Sequence, residues 1–293
     1  TGAAKEAAAG AAGEGAKDSA QEPSAQAGRE AAAAPPPTAP ADGPGKDREG
    51  KSQEGGKTKK AGASRKSRGP LDALWARVEA DCWDVAAWET MVAQLRPRMD
   101  NKEAREDLRQ VYKALLEVFP TSALHWRGFC EMELAHGSEE DLKALFGQCL
   151  LKCRNVELWN TYMKFIQKGN DKSVAPGARA VRQAYEFTLD HLGDDLNAGP
   201  LWQEYIAFLK GAGPGLLFGG GPPGSEETMR MSAVRRAYKR AVAVPTHCVD
   251  ALWRDFEQSE NAINKQLAKQ LLEEFKPKYQ GARAVCRELK AHR

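Results

Sequence analysis

From Leu71 onward, apolar positions recur at three- and four-residue spacing, the mark of helices with one buried face. Residues 84–95, DVAAWETMVAQL, place Ala87, Trp88, Met91, Val92 and Leu95 on one stripe, with Asp84 placed to cap the first turn. A partner helix is predicted over about 103–118, with Leu108, Val111, Tyr112, Leu115 and Leu116 facing inward and Pro120 ending it. The second pair reads 122–135 and 139–153. Trp126, Phe129, Cys130 and Glu133–Leu134 mark its first helix, Gly137 stops that helix, and Ser138 caps the next, which carries Leu142, Leu145, Phe146, Cys149 and Leu150. The third reads 155–168, capped by Asn155 with Leu158, Trp159, Tyr162, Phe165 and Ile166, and 176–191 with Val181, Ala184, Tyr185, Thr188 and Leu189. The fourth reads 200–210, with Trp202 and Tyr205, and 230–243, with Tyr238. The fifth starts at Asp250 with Trp253 and continues over 264–275, and a separate helix at about 279–291 is expected after Pro277. A helix at 71–81, flanked by Trp75 and Trp83, is expected to cap the N-terminal end. The segment GAGPGLLFGGGPPG, 211–224, is expected to be a mobile, non-helical loop.

These pairs repeat one phrase. Trp88, Trp126, Trp159, Trp202 and Trp253 each open a helix and are followed three residues later by Met91, Phe129, Tyr162, Tyr205 and Phe256. A second aromatic, Tyr112, Phe146, Tyr185 or Tyr238, centres the helix that follows each of the first four. One pair cannot bury both of its faces, so the pairs must stack, with small residues such as Ala114, Ala184, Ala237 and Ala241 beside the rings. The expectation is an all-α helical-repeat solenoid. Such stacks bind macromolecules and seldom carry an active site.

Composition divides the chain near residue 70. Residues 1–70 contain no Leu, Ile, Val, Met, Phe, Tyr, Trp, Cys or His, too little apolar surface to offset the entropy of ordering, so they are expected to be a disordered tail. The tail carries 12 Lys and Arg against 9 Asp and Glu, the whole of the chain's formal +3, leaving 71–293 neutral. A neutral body is not the footprint of a dedicated nucleic-acid binder. No run of 18 apolar residues is present, and no membrane association is expected.

The tetratricopeptide pattern asks for a period of 34 residues and Leu-Gly after the Trp. Here the Trp-to-Trp steps are 38, 33, 43 and 51, and the phrase is Trp-x2-aromatic, as in WNTY, WQEY and WRDF. It resembles the half-a-TPR, or HAT, repeat, which implies an RNA-processing complex. The stretches LWQEYIAFLKG (201–211), SAVRRAYKRAVAVP (232–245) and ALWRDFEQSENAINKQLAKQLLEEFKPKYQGARAV (251–285) are similar to the suppressor-of-forked family, as are VAAWETMVAQL and the ARE..RQVYKALLEVFP that follows it. That family includes the large HAT-repeat subunit of cleavage stimulation factor. The resemblance implies a nuclear scaffold for cleavage and polyadenylation of pre-mRNA 3′ ends, with cleavage-stimulation and cleavage-polyadenylation subunits as partners and indirect contact with pre-mRNA. It also implies that residues 71–293 are the N-terminal portion of a longer product. Homodimerisation belongs to a second HAT block outside them. The alternative is a HAT scaffold of a splicing or ribosome-biogenesis complex.

Candidate chemistry is sparse. The cluster GKTKKAGASRKSRGP holds Lys57, Lys59, Lys60, Arg65, Lys66 and Arg68 with no acidic residue, and reads as a nuclear-import signal or as a solvated linker. Arg235, Arg236, Lys239 and Arg240 form a second basic group. Arg236, Lys239 and Arg240 are placed on one face, available to an acidic partner or an RNA backbone. The competing reading is salt bridges to Glu226, Glu227 or a neighbouring helix. The six cysteines are scattered and expected to be reduced core residues, and the five histidines are isolated, so neither a metal site nor a nucleophile motif is indicated. The Gly-rich 211–224 segment lacks the context of a phosphate loop. The repeated aromatics are expected to be core rather than base-stacking platforms. No catalytic residue and no cofactor are expected.

Overall fold

The structure, a computed structural model, describes residues 70–292. The expectations for the N-terminal tail, including the basic cluster from Lys57 to Arg68, lie outside the described residues. Within them the chain forms twelve α-helices and one 3-10 turn. These are α1 (Pro70–Ala80), α2 (Val85–Leu95), the 3-10 turn (Arg96–Arg98), α3 (Lys102–Val118), α4 (Ala123–His136), α5 (Glu139–Cys149) and α6 (Val156–Gly169). They continue with α7 (Ala175–Leu192), α8 (Gly199–Gly211), α9 (Pro214–Phe218), α10 (Glu226–Ala241), α11 (Val249–Ile263) and α12 (Lys265–Ala291). The expected all-α stack of helix pairs is present: α2/α3, α4/α5, α6/α7, α8/α10 and α11/α12, with α1 packed on α2.

The caps read from the sequence form. Asp84 accepts the Ala87 amide at 3.0 Å, Ser138 that of Asp141 at 3.1 Å and Asn155 that of Leu158 at 3.1 Å, each satisfying one free donor of a first turn. Gly137 ends α4 as expected, but with φ −92°, ψ −176° rather than a left-handed turn. Space explains the glycine: a Cβ there would run into the Glu133 carboxylate and lie 2.9 Å from the Glu133 carbonyl oxygen.

The two aromatics of the phrase have separate jobs. The ring three residues after each Trp packs on the second-helix aromatic of the preceding pair. Tyr112–Phe129, Phe146–Tyr162, Tyr185–Tyr205 and Tyr238–Phe256 all have centroids 5.3–5.4 Å apart. The first pair has no predecessor of this kind, and Met91 holds the position there; Trp88 instead meets Trp75 of α1 edge-on at 5.7 Å. The indole N–H locks the segment that enters its own helix. Trp88 donates to the Cys82 carbonyl, Trp126 to Pro120 and Trp159 to Cys153, each six residues upstream at 2.8–3.0 Å. At α8 the indole reaches farther, and Trp202 donates nine residues back to the Gly193 carbonyl at 2.9 Å. Trp253 differs, stacking face to face on Tyr279 at 4.6 Å.

Three expectations need correction. Helix α5 stops at Cys149, not 153: residues 150–152 turn, and buried Cys153 then presents its carbonyl to the Trp159 indole. The 211–224 segment is not wholly non-helical. Pro214–Phe218 forms α9, which buries Leu217 and packs on both α7 and α10. Pro277 does not split α12, which is continuous over 27 residues. Pro277 and Glu273 are both exposed, so the Glu273 carbonyl that loses its helical donor faces solvent and the break is avoidable. In addition, α10 begins at Glu226, four residues earlier than expected.

Candidate interaction surface

The charged residues sort into clamps between pairs and free surface. Glu133 of α4 is 3% exposed, yet it holds Arg109 of α3 through two bonds, Nε to Oε1 at 2.6 Å and Nη2 to Oε2 at 3.0 Å. Glu260 of α11, 4% exposed, holds Arg235 of α10 in the same way, at 2.9 and 2.7 Å. The two clamps occupy equivalent repeat positions. The arginine lies three residues before the second-helix tyrosine, Tyr112 or Tyr238. The glutamate lies seven residues after the tryptophan of the next pair, Trp126 or Trp253. Both groups of such a pair give up hydration, and the bidentate geometry restores their hydrogen bonds.

Arg182, three residues before Tyr185, is the matching arginine of α7, but the matching position seven after Trp202 is Leu209. The inserted α9 supplies a substitute: Phe218 lies under the Arg182 guanidinium at 4.6 Å, and Arg179 donates to the Gly219 carbonyl at 3.1 Å. The Gly/Pro segment thus completes an interface that the repeat leaves without its acid.

The α10 basic group does not form one free face. Arg236 and Arg240 turn toward α7, where they meet Glu186 at 3.5 Å and Asp190 at 2.7 Å, and Arg240 also covers Trp202. Arg235 and Lys239 turn the other way, toward Glu260 and the Phe275 ring. The expected common face of Arg236, Lys239 and Arg240 is therefore split by the i, i+4 geometry of the helix. Glu227 pairs with Arg230 and with none of these four.

Two open clefts lie beside α10. One, of about 460 Å³, runs between α8 and α11 and is lined by Gln203, Ile206, Lys210, Tyr238, Asp255 and Ser259 among others. Lys210 donates to the Tyr238 hydroxyl at 2.7 Å. Burial holds the Lys210 amine below its usual range, while burial and then Asp255 and Glu260 push the Tyr238 phenol up to about 12. The other, of about 320 Å³, is lined by Glu186, Asp190, Tyr205, Arg236 and Arg240, charges already paired with each other. Among the described residues no group of three or more His, Cys, Asp or Glu could hold a metal ion, and no helix is long and apolar enough to cross a membrane. All six cysteines are free, four of them buried.

The repeat tryptophans and tyrosines expected to form the core do so: Trp88, Tyr112, Trp126, Phe146, Trp159, Tyr185, Trp202, Tyr205, Tyr238 and Trp253 are buried, and Tyr162 is partly buried against them. The clamp glutamates were not foreseen as a set. Their signal, W-x6-E after R-x2-Y, is present in the sequence at two of the four inter-pair positions only.

Residues 71–293 match the family model described as Suppressor of forked protein. Cleavage stimulation factor subunit 77 of Arabidopsis thaliana is 43% identical over 182 residues, 62% of this chain and 24% of the relative. The mRNA 3′-end-processing protein RNA14 of Gibberella zeae is 34% identical over 221 residues, 74% of this chain and 21% of the relative. Protein suppressor of forked of Drosophila melanogaster is 32% identical over 217 residues, 73% and 26%. The chain thus spans about a quarter of the length of these relatives. With the family match covering every helix from α2 to α12 and nearly all of α1, the chain belongs to the suppressor-of-forked family.

Proposed function

We propose that this chain is part of a scaffold subunit of the nuclear machinery that cleaves and polyadenylates pre-mRNA 3′ ends, and that it acts through protein–protein contacts without chemistry of its own. The observation that carries the reading is the family match over residues 71–293, joined to relatives named as a cleavage stimulation factor and an mRNA 3′-end-processing protein. The physical arrangement supports it. The large aromatics and the buried charges are committed to holding helix pair against helix pair, which stiffens a repeat array. In this reading the partners are cleavage-stimulation and cleavage-polyadenylation subunits. Homodimerisation belongs to parts of the full-length family beyond these residues, and the basic cluster Lys57–Arg68 directs the protein to the nucleus.

The reading is tested by adding excess purified chain to a nuclear extract that cleaves a polyadenylation substrate. A chain that occupies partners without completing the complex inhibits cleavage in a dose-dependent way. Undiminished cleavage at saturating chain, with splicing of a control substrate lost instead, would place the scaffold in another complex. For the import cluster, residues 50–70 fused to a neutral reporter should move it into the nucleus, and an unchanged distribution contradicts that role.

A further inference from the structure

Helix α12 carries a row of cations. At 100° per residue, Lys265, Lys269, Lys276, Arg283, Arg287 and Lys290 of α12 fall within a sector of about 60°, and the row runs about 38 Å along the axis. Arg283 is partly buried and bonded to Asp250 at 2.9 Å. The other five are exposed, and no bond or ion pair joins them to a described residue. Elsewhere in the stack Arg109, Arg235, Arg236 and Arg240 each hold a carboxylate of another helix, whereas Arg287 of the row holds none among the described residues. Asp250 of α11 holds Arg283 and the Tyr279 hydroxyl, and on α12 itself Glu273 falls about 40° beyond the row, so the other five cations of the row keep an excess of positive charge.

Helix stability accounts for Lys290 in the last turn of α12, but not for the other end of the row. Lys265 and Lys269 sit in the first turns of α12, where the macrodipole disfavours cations, and that first turn has no acidic residue. An interface with an apolar core does not fit it either, because the exposed apolar residues of α12, Leu267, Val285 and Leu289, lie on the opposite flank. A linear row of one sign with no apolar anchor fits a chain of phosphates.

We propose that this α12 row binds the sugar-phosphate backbone of single-stranded RNA without regard to sequence. The choice of RNA over another polyanion rests on the 3′-end-processing role proposed above. The row adds a direct contact to the indirect one expected from the sequence.

The test measures anisotropy of a labelled oligouridylate of about 20 nucleotides with the full chain, between about 0.05 and 0.3 M KCl. Each cation on the row contributes about 0.7 to the slope of log affinity against log salt. The triple variant K265Q/K269Q/K276Q should therefore lower the slope by about 2 and weaken binding about a hundredfold near 0.1 M salt. Any background from the N-terminal tail is common to both proteins and leaves this difference intact. A control variant K113Q/K152Q/K164Q removes the same charge from exposed positions off the row and should bind like the parent. Equal slopes for parent and row variant, or an equal loss in the control, would overturn the proposal. So would displacement of the RNA by polyglutamate of equal charge at equal concentration, which would assign the row to an acidic protein. Unchanged circular dichroism and melting of the variants guard against misfolding. The assay uses only purified chain and RNA, so its failure leaves the cleavage-inhibition test of the scaffold reading standing.

Discussion

Removing one side of the Arg109–Glu133 clamp should cost very different amounts depending on which side goes. Arg109→Met leaves the Glu133 carboxylate, whose side chain is 2% exposed, without its two donors. Breaking a buried pair from that side costs about 3–4 kcal/mol, because an uncompensated charge stays behind. Glu133→Met leaves Arg109 with a second partner, Glu106 at 2.6 Å, and with a side chain that is 27% exposed. That loss is reduced to about 1–2 kcal/mol. The double variant leaves no orphan and two apolar side chains of similar reach, so it should be more stable than Arg109→Met alone. The assay is urea unfolding followed by both tryptophan fluorescence and circular dichroism, since a repeat array need not unfold in one step. Equal costs for the two single variants, or a double variant as costly as their sum, would refute the clamp as the source of the asymmetry.

Other predictions follow from the same geometry. Trp159→Phe leaves the buried Cys153 carbonyl with the Asn155 amide as its remaining donor and should cost about 1–2 kcal/mol, read from the urea midpoint. Gly128→Ala should destabilise by at least about 1 kcal/mol, because its Cβ would stand 2.5 Å from the Tyr112 hydroxyl oxygen. Leu217→Ala, which hollows α9 beneath the Arg182–Phe218 contact, should cost about 2–4 kcal/mol; a cost under 0.5 kcal/mol would show that the insert is not part of the core. All six tyrosines are held above the usual phenol range, chiefly by burial, with Tyr185 and Tyr238 pushed up to about 12. A folded pKa raised above the unfolded value gives stability that is complete below pH 10 and lost as pH rises through about 12. Tyrosinate absorbance at pH 10 should therefore be well below that of the denatured chain, and equality of the two would contradict the burial.

The helix pairs were legible in the sequence because Trp, the aromatic three residues on and the second-helix aromatic each bury a large ring, and burial imposes the 3.6-residue period. The caps at Asp84, Ser138 and Asn155 were legible because their chemistry is local. What the sequence concealed is non-local. Arg109 and Glu133 are 24 residues apart, and nothing in either helix alone says that they meet. The α9 helix was hidden because Gly and Pro dominate its segment, while what it packs on, α7 and α10, lies on other parts of the chain. Pro277 read as a break because proline lacks the N–H and its ring crowds the carbonyl four residues back, whereas here Pro277 and Glu273 both lie on the exposed side of α12 and the helix runs through. The split of the α10 arginines needed the positions of Glu186, Asp190 and Glu260, which no spacing within α10 contains. The surface candidates were the least legible, since a cation reads the same in a sequence whether it is clamped or free.

The most direct test of the scaffold is affinity purification of the chain from nuclear extract after RNase treatment, with identification of its companions. The account predicts recovery of cleavage-stimulation and cleavage-polyadenylation subunits, reduced in parallel with stability by Arg109→Met. Recovery of spliceosomal or ribosome-biogenesis proteins without 3′-processing factors would contradict it.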